Sequence, residues 1–380
     1  MNQELKMFQE TIQAFAKEKI EPVAALIDIE EKVPDALMKE MKEMGLFGVP
    51  FPEEYGGSGF GWRAQYMLME EVAKYEGSIP SIIGAHTTIA ANAIYVAGSE
   101  EQKQKYLRPL ADGTSLGAFA LTEPGAGSDA AGIKTTAKKE GDEWVINGTK
   151  CFITNAPSAD IFVVFVSTDK EKGARGGITS FIVERGMPGL SIGKMEDKMG
   201  IRGSETSEVI FENVRVKDEQ VLGEVGHAFK YAMRVMQNGR LGIASIALGL
   251  AKGAFELAVQ YSLERKQFGQ SIAHFQSIQN KLAEMKMEIY AIESMLYRTI
   301  TLLEEGEGFN LEGSIVKAYA SEKADWIINE SLQIFGGYGY MKDFPIERML
   351  RDARINRIFE GTSEIQRIVI AKEILKEASL

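Results

Sequence analysis

Residues 226–269 read GHAFKYAMRVMQNGRLGIASIALGLAKGAFELAVQYSLERKQFG, and their apolar residues recur with helical spacing. The pattern predicts one long helix over 226–264. Its glycines at 239, 242, 249 and 253 each cost about 1 kcal/mol of helix propensity relative to alanine. We expect such glycines where another helix or a ligand closely approaches the backbone. Further helices are predicted at 274–304, 311–335 and 362–377, so the C-terminal part is predicted to be a four-helix bundle.

The chain before this bundle divides into two regions that differ in the spacing of their apolar residues. The middle is rich in β-branched and aromatic residues, and its predicted strands are 117–123, 133–140, 143–148, 161–168, 177–185 and 208–216. No helices intervene between them, as a parallel sheet would require, so a β-sandwich or barrel is predicted. The first third predicts helices at 3–20, 34–45, 61–76, 78–97 and 100–111. The fold class is therefore α+β multidomain, with an all-α domain (1–116), a β domain (117–222) and a helical-bundle domain (223–380).

The composition argues against several functional classes. The net charge is −11, which gives no electrostatic reason to expect nucleic acid or an anionic membrane as a partner. The single cysteine, Cys151, excludes an internal disulfide and fits a reducing, cytoplasmic setting. The three histidines are scattered, so no metal site is predicted. The N-terminus predicts an amphipathic helix rather than a signal peptide, and no apolar run is expected to span a membrane.

A candidate catalytic carboxylate lies near the C-terminus, in RIFEGTSEIQR (357–367). Glu360 comes directly before a glycine and the predicted start of a helix. Ser363 and Gln366 have the spacing of a capping box at that start. Glu360 therefore lies in a loop that enters a helix. Its sequence position alone fits both a solvated loop charge and a group placed to take a proton.

Four other segments carry weak signals when each is taken singly. LTEPGAGSD (121–129) follows a strand and has glycines that let a backbone approach a ligand. KCFITNA (150–156) places an aromatic ring and a hydroxyl on one face of a strand. ERKQFGQSI (264–272) has the cations and glycine of a helix C-terminus, and QIFGGYGY (333–340) sets glycines between aromatic residues. An ordinary turn, strand or helix end explains each of them by itself.

Together with RIFEGTSEIQR, these segments occur in the order seen in acyl-CoA dehydrogenases. The first and the last closely resemble that family's two signature patterns, and the resemblance runs over essentially the whole chain. It implies FAD-dependent oxidation of a fatty acyl-CoA to the trans-2-enoyl-CoA, with electrons passed to electron-transferring flavoprotein. The implied role is fatty acid β-oxidation or related acyl-CoA catabolism. It also implies a homotetramer whose FAD sites are shared between subunits.

The resemblance assigns roles to individual residues. Glu360 would be the catalytic base, and Ser128, Arg240 and Gly361 would contact the acyl-CoA. A subset of the family carries its glutamate at the position of Gly239, which cannot accept a proton. The residues expected to line FAD from the middle domain are Phe119, Leu121, Thr122, Gly127, Ser128, Phe152, Ile153 and Thr154. Those expected to reach the FAD of a neighbouring subunit are Arg265, Gln267, Phe268, Phe275, Gln276, Gln333, Gly336 and Gly337, and those expected at the adenosine part are Thr362 and Glu364.

Two alternatives remain beside the dehydrogenase. An acyl-CoA oxidase has a related fold and passes electrons to oxygen, but such chains are usually much longer. A non-catalytic assembly or binding relative would be free to lose its base and flavin contacts, whereas this chain retains them. The segment IPSIIGAHTTIAANAI (79–94) would line the acyl tunnel by resemblance. Because it shows no polar plug, it favours a tunnel for medium or longer acyl chains.

Overall fold

The computed structural model describes residues 3–379, which form a helical region, a β region and a second helical region in chain order, as predicted. The N-terminal helices are α1 (Gln3–Phe15), α2 (Ala24–Glu30), α3 (Asp35–Glu43), α4 (Gly61–Ala73), α5 (Ser78–Gly84), α6 (Asn92–Ala97), α7 (Glu100–Gln102) and α8 (Arg108–Ala111). A π-helical segment, Ala85–Ala91, joins α5 to α6, so the helix predicted at 78–97 is continuous. Ile79 and Ile83 pack in the N-terminal core, whereas Ala93 and Ile94 pack in a core that the helices share with the β region.

Eight strands follow: β1 (Gly117–Ala120), β2 (Thr136–Glu140), β3 (Glu143–Thr154), β4 (Ile161–Ser167), β5 (Ile178–Glu184), β6 (Leu190–Met195), β7 (Thr206–Lys217) and β8 (Val221–Leu222). Hydrogen bonds connect them in the order β6-β7-β3-β2-β4-β5-β8, and β1 pairs in parallel with β4. The sequence did not predict β6. Its residues are half-buried or exposed and include a glycine, so they lack the apolar alternation of a core strand.

Strand β4 explains how the β region is fixed to the helices. All seven of its residues are buried. Side chains alternate between the two faces of a strand, so Phe162, Val164 and Val166 enter the core of the β region itself. Val163 and Phe165 point the other way, into a core shared with helices of both helical regions. A strand buried on both faces reads as the uninterrupted apolar run seen in its sequence.

The C-terminal region begins with α9 (Ala228–Glu264) and a short hairpin of β9 (Lys266–Gln267) and β10 (Gln270–Ser271). It continues through α10 (Gln276–Glu304), α11 (Asn310–Phe335), α12 (Ile346–Arg354) and α13 (Ser363–Glu377). The sequence did not predict α12, which follows a glycine-rich turn and is only nine residues long.

The glycines of α9 lie where another element approaches the helix closely, as predicted. A Cβ at Gly249 would stand 2.1 Å from the backbone oxygen of Glu70, and one at Gly253 would stand 2.1 Å from that of Lys74. Both oxygens belong to α4 or the residue that ends it. The two glycines therefore let α4 pack directly on the backbone of α9, which joins the two helical regions.

Two helical stretches have the length and hydropathy of a membrane span, contrary to the expectation from the sequence. They cover Ser78–Ala97 and Ala228–Glu264, among the residues 3–379. Of their most apolar windows, 78% and 72% of the residues are buried inside the protein. Their apolar character is thus accounted for by the cores in which they pack.

Candidate active site

Glu360 lies in a short loop between α12 and α13 whose backbone is unusual. Its φ is 52°, and that of Gly361 is 92°, so two consecutive residues have left-handed conformations. Such a conformation is unfavourable for a residue with a Cβ. The helix that follows is capped by Thr362, whose hydroxyl accepts a hydrogen bond from the Ile365 N–H at 3.3 Å. The predicted capping box is therefore wrong, since the Gln366 amide turns back to the carbonyl oxygens of Glu360 and Gly361.

The carboxylate of Glu360 points at α9. A Cβ at Gly239 would stand 1.9 Å from Glu360 Oε2, so only a glycine leaves room for the carboxylate there. Oε2 is buried and has no hydrogen-bond partner among the described residues. Burial raises the pKa of Glu360 to about 7, while the charges of Lys317 and Arg240 act in the opposite direction. A buried carboxyl with a pKa near neutrality is well matched to general-base work.

Arg240 follows Gly239 on α9 and is held by α11. Its Nη1 donates to Asn310 Oδ1 at 2.8 Å and to Ser314 Oγ at 2.9 Å. Its Nε is buried without a partner among the described residues. Burial lowers the pKa of the guanidinium, and Glu360 counteracts this. The structure thus brings a fixed cation and an unpartnered donor close to the carboxylate.

The middle-domain residues predicted at the flavin gather around the end of β3. Phe152 is 65% exposed and has a φ of 56°, an unfavourable conformation that turns its ring outward from the strand. The Cys151 N–H donates to the Thr122 carbonyl at 3.0 Å, which brings the 121–129 loop beside Phe152. Gly127 and Ser128 are exposed in that loop, whereas the Ile153 side chain is buried in the core of the β region. Only the backbone of Ile153 is therefore placed to contact a ligand.

A second predicted group lies at the far end of α9. Phe268 is 93% exposed, and its ring packs edge-on against that of Phe275, with 6.0 Å between the ring centres. The Arg265 guanidinium lies 5.4 Å from the centre of the Tyr338 ring. Gln267, Gln276, Gln333, Gly336 and Gly337 are exposed in the same segments. At 1.5 Å per helical residue, Arg265 is roughly 39 Å along α9 from Gly239, so this group is separate from the Glu360 site of its own chain.

The sequence analysis did not identify two buried lysines near these sites. Lys150 is fully buried, and its Nζ donates to the Leu121 carbonyl at 2.9 Å and to Glu123 Oε1 at 2.8 Å. It thereby braces the loop predicted to contact FAD. Lys317 is fully buried on α11, near Glu360. The signal in the sequence was a lysine on the apolar face of a predicted helix, between Ser314 and Ala320.

Three family models match the chain in succession. They are described as the acyl-CoA dehydrogenase N-terminal domain (residues 2–114), middle domain (118–214) and C-terminal domain (226–375). A short-chain specific acyl-CoA dehydrogenase of Clostridium acetobutylicum is 43% identical over 376 residues, which covers 99% of each chain. These matches support the α–β–α organisation and the family that the motifs indicated.

Solved structures agree with the sequence matches. Butyryl-CoA dehydrogenase from Megasphaera elsdenii superimposes with a TM-score of 0.96 at 43% identity and covers 99% of both chains. A chain in the structure described as electron transferring flavoprotein of Acidaminococcus fermentans gives a TM-score of 0.97 at 43% identity. That match covers 99% of this chain and 98% of the other.

Proposed function

The chain belongs to the acyl-CoA dehydrogenase family and is an oxidoreductase of that class, and from this premise we propose that it oxidises short-chain acyl-CoA thioesters with Glu360 as the base. The observation that carries the proposal is the carboxylate of Glu360, which is buried, unpartnered and aimed at the backbone of Gly239. A solvated loop charge would be exposed and would keep an ordinary pKa. The structure therefore favours the proton acceptor over the loop charge.

The residues of the middle domain fit FAD as the cofactor. An outward-turned aromatic ring at Phe152 offers a face for a flat ring system. The space around Gly125 and Gly127 is open to 4 Å, so a ligand has room to approach the backbone of that loop. Thr122 and Ser128 would supply hydroxyl groups from the same loop. When bound, FAD supplies the acceptor for the hydride that leaves Cβ of the substrate.

The chain's own groups account for the proton half of the reaction. The substrate loses a proton from Cα to the Glu360 carboxylate as the hydride leaves Cβ, and the electrons of the Cα–H bond form the trans double bond. The Glu360 backbone N–H has no acceptor among residues 3–379, so it is free to donate to the thioester carbonyl. That hydrogen bond would stabilise the negative charge that develops on the oxygen. Exclusion of water by the substrate would make the carboxylate a stronger base.

Packing between α4, α5 and α9 supports a short acyl chain. The methyl carbon of Met69 would be 2.8 Å from a Cβ at Gly84 and 3.0 Å from a Cβ at Gly242. It thus fills the gap between the helices, one turn along α9 from Gly239. The sequence favoured medium or longer acyl chains because no polar side chain follows Ile82 to block the tunnel. An apolar side chain from α4, that of Met69, would block the tunnel as a polar one would. The names of relatives with short-chain and butyryl-CoA specificity agree with this proposal.

The assembly and the electron acceptor are part of the same proposal. The C-terminal region exposes large apolar side chains at Phe268, Tyr290, Met287, Tyr340 and Leu375. Contacts between subunits would remove these apolar side chains from water. We propose a cytoplasmic homotetramer in which the group around Arg265 reaches the FAD of a neighbouring subunit. Electron-transferring flavoprotein is the proposed acceptor, in β-oxidation or related catabolism, and the likeness to a chain solved under that protein's name supports it.

Rapid mixing of the FAD-loaded protein with butyryl-CoA tests this function. Glu360→Gln keeps the size of the side chain and removes its basicity. The rate of flavin bleaching and the exchange of Cα protons with deuterated water should both fall by about 10²–10⁴-fold. Binding of butyryl-CoA should change little, since proton removal belongs to the transition state.

The same preparation separates the alternatives. A wild-type bleaching rate in Glu360→Gln would exclude Glu360 as the base. Rapid reoxidation of the reduced wild-type protein by oxygen would indicate an oxidase, whereas slow reoxidation by oxygen and rapid reoxidation by electron-transferring flavoprotein would support a dehydrogenase. Protein that takes up no FAD would contradict the whole proposal.

A further inference from the structure

Lys317 is a buried cation without a counter-ion in contact. Its side chain is fully buried on α11, and its Nζ donates to the Gly361 carbonyl at 2.6 Å. Among residues 3–379, the carboxylates that act on that nitrogen do so through their charge, and none forms a hydrogen bond with it. A buried charge paired only with a carbonyl is costly, and an apolar side chain would be more stable at such a position. The cost calls for a compensating role at the site that Lys317 faces.

The carbonyl that Lys317 holds belongs to the strained loop of the base. Gly361 follows Glu360, and both have left-handed backbone conformations. The same Gly361 carbonyl oxygen accepts a second hydrogen bond from Gln366 Nε2 at 3.0 Å. Gln366 Nε2 also donates to the backbone carbonyl oxygen of Glu360 at 3.2 Å. Gln366 thus holds the peptide that follows Glu360, and Lys317 together with Gln366 holds the peptide that follows Gly361. The direction of the Glu360 side chain toward Gly239 depends on the conformation of this loop.

The charges around the two groups are few. Glu360 is faced by Lys317 from α11, by Arg240 from α9 and by the Tyr66 hydroxyl from α4. The groups that act on Lys317 are Glu360, Arg240, Glu364 and Glu322. Burial lowers the pKa of Lys317 to about 8, and the negative charge of Glu360 opposes that effect. The positive charge of Lys317 in turn favours the ionised form of Glu360.

Arg240 and Lys317 occupy different surroundings. The Arg240 guanidinium is held by Asn310 and Ser314 and keeps a free Nε, so it remains available to a ligand. Lys317 is directed at the backbone of the loop and is fully buried, so it acts through Glu360 rather than on the substrate. We propose that Lys317 is the positioning residue of the base: its ammonium anchors the Gly361 carbonyl and presents a positive charge to the buried Glu360 carboxylate. This inference rests on the proposed role of Glu360.

Two substitutions separate the anchor from the charge. Lys317→Gln retains a hydrogen-bond donor and removes the charge, whereas Lys317→Met removes both. The measurement is the rate of flavin bleaching by butyryl-CoA from pH 5 to pH 10, in protein with full FAD content. Because Glu360 must be ionised to act, the rate rises with pH through its pKa. Without the nearby positive charge, the midpoint of that rise should move to a higher pH by about one pH unit or more in both variants.

The plateau at high pH reports the anchor. It should stay within a few-fold of wild type in Lys317→Gln and fall by about 100-fold in Lys317→Met, since the carboxylate is then no longer held in line with the substrate. Lys323→Gln is the matched control. It lies on the same helix, is partly exposed and pairs with Glu288 at 2.7 Å, so its profile should coincide with that of wild type.

The outcomes distinguish this inference from the proposed function. Unchanged midpoints in both Lys317 variants would overturn the role of the charge, and a wild-type plateau in Lys317→Met would overturn the anchor. If Lys317→Met does not fold, the midpoint of the pH–rate profile of Lys317→Gln still tests the role of the charge. A wild-type rate in Glu360→Gln would instead show that the base itself is misassigned, whatever the Lys317 variants do.

Discussion

Replacement of Gly239 by alanine tests whether the fit between α9 and the base is required for activity. The added Cβ would stand 1.9 Å from Glu360 Oε2 and 2.7 Å from Cδ, whereas ordinary contacts begin at 3.4 Å. The carboxylate must therefore retreat by about 1.5 Å. A displacement of about 1 Å costs on the order of 100-fold in rate, so flavin bleaching by butyryl-CoA should slow by at least that factor.

The same substitution should not destabilise the protein. Glu360 has a flexible side chain that can move away, and alanine in the interior of a helix is favoured over glycine by roughly 0.5–1 kcal/mol. The midpoint of urea unfolding should therefore stay the same or rise slightly. A loss of rate together with a loss of folding would point to general disruption rather than to displacement of the base.

Gly249→Ala is the matched control on the same helix. Its Cβ would meet the backbone oxygen of Glu70 at 2.1 Å, and a backbone atom of a packed helix cannot swing aside. We expect a loss of about 1–3 kcal/mol of stability, as for overpacking of a core. A wild-type bleaching rate in folded, FAD-loaded Gly239→Ala would refute the reasoning, because the carboxylate would then have no need of its present position.

Three further predictions follow from the same structure. The pKa of Glu360 is about 7 in the folded protein, against an ordinary value of 4.5. Between these pH values the folded state holds a proton that the unfolded state has lost, so the free energy of unfolding decreases as the pH rises to about 7. In urea unfolding, the stability of Glu360→Gln should therefore equal that of wild type near pH 4.5 and exceed it by up to about 3 kcal/mol at pH 8. An equal difference in stability at both pH values would contradict a buried carboxyl group. Met69→Ala should move the maximum of kcat/KM from butyryl-CoA toward longer acyl chains, at a cost of about 2–5 kcal/mol in stability. The control is Met67→Ala, which should leave the chain-length profile unchanged, because Met67 is a buried methionine of α4 that lines a separate cleft. Arg265→Ala should release FAD more readily in equilibrium dialysis without loss of folding, and a flavin-loaded monomer in light scattering would rule out the shared site.

Local patterns in the sequence predicted much of the architecture. The apolar period of 226–264 corresponds to α9 within two residues of each end, because helical periodicity reports directly which face of a segment is buried. The β-branched run at 161–168 corresponds to β4 for the same reason. The order of the motifs indicated the family, and the glycine and the predicted helix start after Glu360 placed that residue in a loop. The sequence analysis missed β6, whose residues are at most half-buried, and α12, which is short and follows a glycine-rich turn.

The environment of the candidate site was decided by the tertiary structure alone. Periodicity predicts the helices that carry Gly239, Lys317 and Met69, but not what each of these residues contacts. Glu360 and Gly239 are far apart in the chain, and only the packing of the last loop against α9 gives the carboxylate its burial and its pKa near 7. The packing of α4 on α9 likewise puts a methionine, rather than a polar residue, between Gly84 and Gly242. Desolvation and steric fit depend on atoms contributed by several elements at once, so they arise only when those elements are assembled.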